Sequence, residues 1–153
     1  MQEEKYTARD QSYSAWHRRK STMRFVGIEK AQLLAMIDLD ASLYIEYDDG
    51  SKDPIALIEV AQDIGQPYKT ATVTKKLAER AGIPCYVVLY KLSNEQNIAD
   101  TQWKDIESFR VKRLFPKEEY TWRVLTPFEW AGALISMRKW YTAKLDKILQ
   151  SEP

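Results

Sequence analysis

Three carboxylates, Asp38, Asp40 and Glu59, stand in or beside runs that otherwise read as buried strands. The first two border Ala41-Ser42-Leu43-Tyr44-Ile45-Glu46-Tyr47, and the third interrupts Ile55-Ala56-Leu57-Ile58-Glu59-Val60-Ala61. A charged group beside a buried strand is costly unless something pairs with it. A divalent cation held between two neighbouring strands is the simplest partner. Magnesium takes one or two protein carboxylates and completes its shell with water and phosphate oxygens. An ion bound in that way polarises a phosphoryl group and lowers the pKa of an attacking water. In extended chain alternate residues share a face, so Asp38 goes with Asp40, Glu46 joins them along an unbroken strand, and Glu59 goes with Leu57 and Ala61. The same residues also permit a plainer arrangement, in which Asp38 or Asp40 caps a turn and Glu59 pairs with a nearby lysine.

The elements that must position these groups follow from local pattern. Residues 12–23 read as a short helix, and 28–34 as helix or the entry to a strand. A short strand ends near Asp38, and a longer one spans Asp40 to Tyr47. Asp48-Asp49-Gly50-Ser51 is a hairpin turn signal. Pro54 opens the next strand, where its missing N–H is tolerated, and the near-continuous apolar run to Ala61 suits a strand covered on both faces. A loop with Gly65 and Pro67 leads to a helix over 68–81, packed through Val73, Leu77, Ala78 and Ala81, and Gly82-Ile83-Pro84 stops it. Cys85 to Tyr90 is a second buried strand, so strand, helix and strand form a crossover that implies a parallel pair. Residues 93–105 read as loop and 108–115 as an outer strand. Thr126-Pro127-Phe128-Glu129 is a capping box with proline at the first helical position. The helix it starts runs to about Leu149 with Trp130, Leu134, Met137, Tyr141, Leu145 and Ile148 on its apolar face. The fold class is α/β with a mixed sheet.

Basic residues cluster in two places. Lys69, Val73, Lys76 and Arg80 form one stripe along the predicted helix, a row that could track a phosphate backbone and that equally places Lys76 and Arg80 where cations complement a helix C-terminus. His17-Arg18-Arg19-Lys20 is the second patch, with Trp16 beside it either stacking on a base or buried. His17 is the only histidine, which leaves no His-based zinc site or Ser-His-Asp triad.

The 153 residues suit one domain over 12–150, behind a flexible tail at 1–11. A net charge of +1 makes no bulk demand for a nucleic acid or a membrane. The single cysteine, Cys85, excludes an intramolecular disulfide. With neither an apolar leader nor a membrane-spanning run, the expected setting is the cytoplasm, with no membrane partner. No glycine-rich phosphate loop follows any strand, which argues against a small-molecule α/β enzyme.

Asp40 followed by the hairpin and Glu59-Val60-Ala61 resembles the PD-(D/E)XK nuclease superfamily. The likeness covers roughly residues 12–92 and includes the Gly82-Ile83-Pro84 stop before the next buried strand. It implies a restriction-endonuclease-like α-β-β-β-α-β core with an added C-terminal strand and long helix. It further implies a magnesium- or manganese-dependent nuclease acting on DNA, with Asp40 and Glu59 holding the metal and Asp38 in reserve. Leu39 stands at the nominal proline, and Ala61 replaces the motif lysine. Lys69 is the expected substitute, because some members of the superfamily carry the lysine on the following helix; Gln62 is the other candidate. Arg18, His17, Lys76 and Arg80 would contact DNA, a homodimer would act on two strands, and a phage or mobile element would be the setting. Loss of the motif lysine also implies the alternative of a nuclease-like fold without catalysis, serving binding or assembly.

Overall fold

The computed structural model describes residues 12–17, 20–35 and 39–151. The chain divides into two compact units, residues 1–38 and 39–153. The first unit contains helices α1 (Ser12–His17) and α2 (Lys20–Ala31). Helix α2 kinks at Gly27, whose φ of 82° and ψ of 167° are not helical. Helix α1 and the start of α2 fall within the helical segment expected over 12–23, and α2 takes in residues 28–31 of the segment expected over 28–34. His17 closes this unit: its Nε2 donates to the Leu34 carbonyl at 2.8 Å, leaving Nδ1 to accept from the Tyr13 hydroxyl at 3.2 Å.

The second unit is a five-stranded sheet in the order β1 (Ala41–Glu46), β2 (Lys52–Gln62), β3 (Cys85–Gln96), β4 (Lys104–Phe115), β5 (Arg123–Leu125). Helix α3 (Thr72–Ala81) connects β2 to β3, and α4 (Pro127–Ser151) follows β5. Only the β2–β3 pair is parallel; the others are antiparallel. This is the expected mixed α/β sheet with its crossover helix and long C-terminal helix.

Local chemistry accounts for the joints. Gly50, at φ 86°, makes the β1–β2 turn, and Asp49 Oδ1 accepts from both the amide and the hydroxyl of Ser51. Gly82 ends α3 in the left-handed conformation at φ 69°, with the Ile83 amide returning to the Ala78 carbonyl at 3.1 Å. The capping box of α4 is reciprocal: the Glu129 amide donates to Thr126 Oγ1 at 3.1 Å, and the Thr126 amide donates to Glu129 Oε1 at 3.0 Å.

Alternation along the strands divides the core between two faces. Ala56, Ile58, Tyr86, Val88 and Val111 pack on Met137, Trp130 and Leu134 of α4, while Leu57 and Cys85 pack on Ala78 of α3 and Ile83. No helix among the described residues is long and apolar enough to cross a membrane.

Several expectations need correction. Two strands, β1 and β2, precede α3 among the described residues, and the end of the short strand expected near Asp38 lies outside them. Helix α3 begins at Thr72 rather than 68, so Lys69 lies in the loop before it. The buried side of α3 is Thr74 and Ala78, whereas Val73 and Leu77 are exposed. Strand β3 continues to Gln96 and β4 starts at Lys104, which shortens the expected loop, and β5 was not anticipated.

Candidate active site

Glu59 is the only carboxylate among the described residues that is buried in the sheet, at 6% exposure. It shares the α3 face with Leu57, and both its oxygens are engaged. Thr74, in the first turn of α3, donates its hydroxyl to Oε1. Lys69 brings its ammonium to 3.6 Å from Oε2. That separation is an ion pair but lies beyond good hydrogen-bonding distance, so Oε2 keeps lone pairs for another ligand.

Asp40 sits one residue ahead of β1. The ladder pairs Ala41 with Ile58, and continuing it by one residue sets Asp40 opposite Glu59, on the same face. Its carboxylate extends the ladder in place of backbone, with Oδ2 accepting from the Val60 amide at 2.8 Å. Asp40 thus terminates the strand pair, and the register continued from Ala41 sets it level with Glu59.

The loop that presents Lys69 is braced from β4 and beyond. Arg110 grips Asp63 through two hydrogen bonds of 2.8 and 2.7 Å and donates a third to the Gln66 carbonyl at 2.8 Å. This bidentate pairing, helped by the Gly65 amide, holds the Asp63 carboxyl down at about 2. The Trp122 indole donates to the Pro67 carbonyl at 2.8 Å. Arg110 and Lys112 lie 5.1 and 4.7 Å from the centre of the Trp122 ring. Loop geometry is therefore tied to the sheet at Asp63, Gln66 and Pro67, on the approach to Lys69. Beneath α3, burial pushes the Cys85 thiol up to about 11, which suits a core residue and not a nucleophile.

Of the residues singled out as catalytic, the structure brings Lys69 to Glu59, while Asp40 contacts the neighbouring Val60 amide. Ala61 shares the Glu59 face by alternation and brings no charge to it. Asp38 and Arg18 lie outside the described residues. Lys76 and Arg80 are exposed on α3; they do not continue a row from Lys69, which precedes the helix and turns to Glu59. His17 belongs to the other unit, where both its ring nitrogens are engaged. Gln62, next along β2, carries an exposed side chain, and by alternation it points away from Glu59.

Among the described residues no three His, Cys, Asp or Glu side chains gather as metal ligands. Carboxylate oxygens such as those of Asp40 and Glu59 are hard donors of the kind magnesium and manganese take, whereas zinc sites draw on histidine and cysteine. On the opposite face of the sheet a pocket of about 420 Å³ is lined mainly by apolar and aromatic side chains, including Leu43, Val60, Tyr90, Phe109 and Trp130.

Thr74, Arg110 and Trp122 were not singled out in the sequence. Thr74 had a faint signal, since it lies one helical turn before Ala78. Arg110 and Trp122 act on a loop distant in sequence, which no local pattern discloses. No family model, curated protein or solved structure matches the chain.

Proposed function

We propose that the protein is a metal-dependent nuclease that hydrolyses DNA phosphodiester bonds, with a restriction-endonuclease-like core. The observation that carries this reading is the contact of Lys69 with Glu59, on the face to which the register assigns Asp40. Two acids and a lysine are the complement that the PD-(D/E)XK resemblance requires, and Lys69 supplies the charge absent at Ala61. Asp40 and Glu59 would hold a magnesium or manganese ion. When bound, such an ion polarises the scissile phosphate and acidifies the attacking water.

The remaining work belongs to the chain. Thr74 fixes the rotamer of Glu59 through Oε1, so that Oε2 stays directed at Lys69. The Lys69 ammonium can donate to the attacking water and to a phosphate oxygen, holding one against the other. The Asp63–Arg110 and Trp122–Pro67 contacts keep the lysine loop from drifting. Lys76 and Arg80, exposed on α3, are available to more distant phosphates, and a homodimer would present two such sites to a duplex.

A second reading has an observation of its own. Glu59 is already satisfied by Thr74 and Lys69, and Asp40 by the Val60 amide. A buried acid so partnered is also what a non-catalytic nuclease-like binding module would retain.

The test is cleavage of supercoiled, linear and branched DNA with and without magnesium or manganese. The nuclease reading expects metal-dependent cleavage that falls by about 100-fold or more in Asp40→Ala and Glu59→Ala, the scale of lost transition-state electrostatics. Binding without cleavage in every metal would support the second reading instead.

A further inference from the structure

Among the described residues, Lys112 is the cation on the α3 face of the sheet that lacks an acidic partner. Glu59 is level with Val87 on β3, and Val87 is level with Lys112 on β4. All three side chains therefore rise from one face. The other half-buried cations near this face are committed: Arg110 to Asp63, Lys75 to Glu118 and Lys69 to Glu59. No carboxylate lies within ion-pair distance of Lys112 among the described residues. Its ammonium instead stands 4.7 Å from the centre of the Trp122 ring.

An indole face attracts a cation but accepts few of its hydrogen bonds. An ammonium has three N–H donors, and those turned from the ring need oxygen. Trp122 is itself immobilised by its bond to the Pro67 carbonyl and by Arg110 over its ring. The lysine is thus held in place on the row that contains Glu59, at two strand spacings, roughly 10 Å across the sheet at about 4.8 Å each. A fixed, half-buried ammonium with spare donors is suited to a phosphate oxygen.

We propose that Lys112, on the far side of the buried Val87 from Glu59, binds a backbone phosphate flanking the one attacked. This rests on the nuclease reading for the position of the attacked phosphate, while the phosphate contact itself can be tested without cleavage. The assay is anisotropy of a fluorescein-labelled DNA duplex in EDTA across a potassium chloride series, with wild type, Lys112→Gln, Lys112→Met and Lys112→Arg. Lys112→Met keeps an apolar stem over Trp122, and thermal melting checks that each variant is folded.

The expected result is about tenfold weaker binding for Lys112→Gln and Lys112→Met, with the slope of log K against log salt reduced by about 0.9, one phosphate contact. Lys112→Arg restores both. Steady-state cleavage should show the loss in KM rather than kcat. Unchanged affinity and slope in both neutral variants would overturn the proposal even if the wild type cleaves DNA, leaving the nuclease reading intact. A reduced slope in a protein that never cleaves would uphold the contact and defeat the nuclease reading. Absence of DNA binding by the wild type would overturn the proposal.

Discussion

Glu59 shows what one buried acid demands of its neighbours. Its oxygens are reached by Thr74 and Lys69, and each partner comes from a different part of the chain. Replacing Thr74 by Val keeps the shape but leaves Oε1 without its donor. We expect a loss of about 1–3 kcal/mol in urea unfolding, the cost of an unmet buried acceptor, and lower cleavage from a misdirected Glu59. Cys85 gives a second check on packing. With its thiol raised to about 11 by burial, it should resist a thiol reagent at pH 8 in the native protein and react fully in denaturant. At this scale the sequence was legible where chemistry is rare: an acid within an apolar strand identifies Glu59, and the absent motif lysine directs attention to Lys69. Thr74 was not legible, because the apolar Val73 and Leu77 suggested a different buried side for α3. The helix instead turns its hydroxyl inward to meet Glu59, and leaves those two apolar residues exposed.

The loop from Asp63 to Ala71 behaves as an element in its own right, because Arg110 and Trp122 anchor it to the sheet. Replacing Arg110 by Met should release the Asp63 carboxyl from about 2 toward the ordinary value of about 3.9, as followed by carboxyl NMR titration. Because the folded-state pKa is depressed, the contribution is present above about pH 4 and is lost as pH falls toward 2. Wild type should therefore lose this stabilisation over that acid range, and Arg110→Met should lack that part of the pH dependence. Thr126→Ala, which removes a reciprocal cap of α4, should cost about 0.5–2 kcal/mol in the same unfolding measurement without altering metal dependence. Caps, stops and turns were legible because a few adjacent residues determine them: Gly82 for α3, Gly50 for the hairpin, Thr126 and Glu129 for α4. The outer ends of β3 and β4 were not. Lys91 to Gln96 are mostly polar and exposed, so their strand conformation rests on pairing with β4 and not on an apolar face.

At the scale of the molecule, the single parallel pair, β2 and β3, determines where the site can form. Their crossover carries the chain from Glu59 through the Lys69 loop and over one face in α3, while α4 packs on the other. Alternation therefore separates the carboxylate row from the apolar pocket on the α4 side. The crossover was readable from the order of an apolar strand, a helix and a second apolar strand. The position of Lys112 was not, since it needs the register of three strands at once. Under the proposed function, Asp40 and Glu59 together would hold one divalent ion beside Lys69. Manganese titration followed by electron paramagnetic resonance tests this most directly. One bound ion per chain is expected, lost in Asp40→Ala and in Glu59→Ala, but bound at least as tightly in Lys69→Met, where the competing ammonium is gone and cleavage fails. Manganese binding that is absent from the wild type, or unchanged in both acid variants, would contradict it.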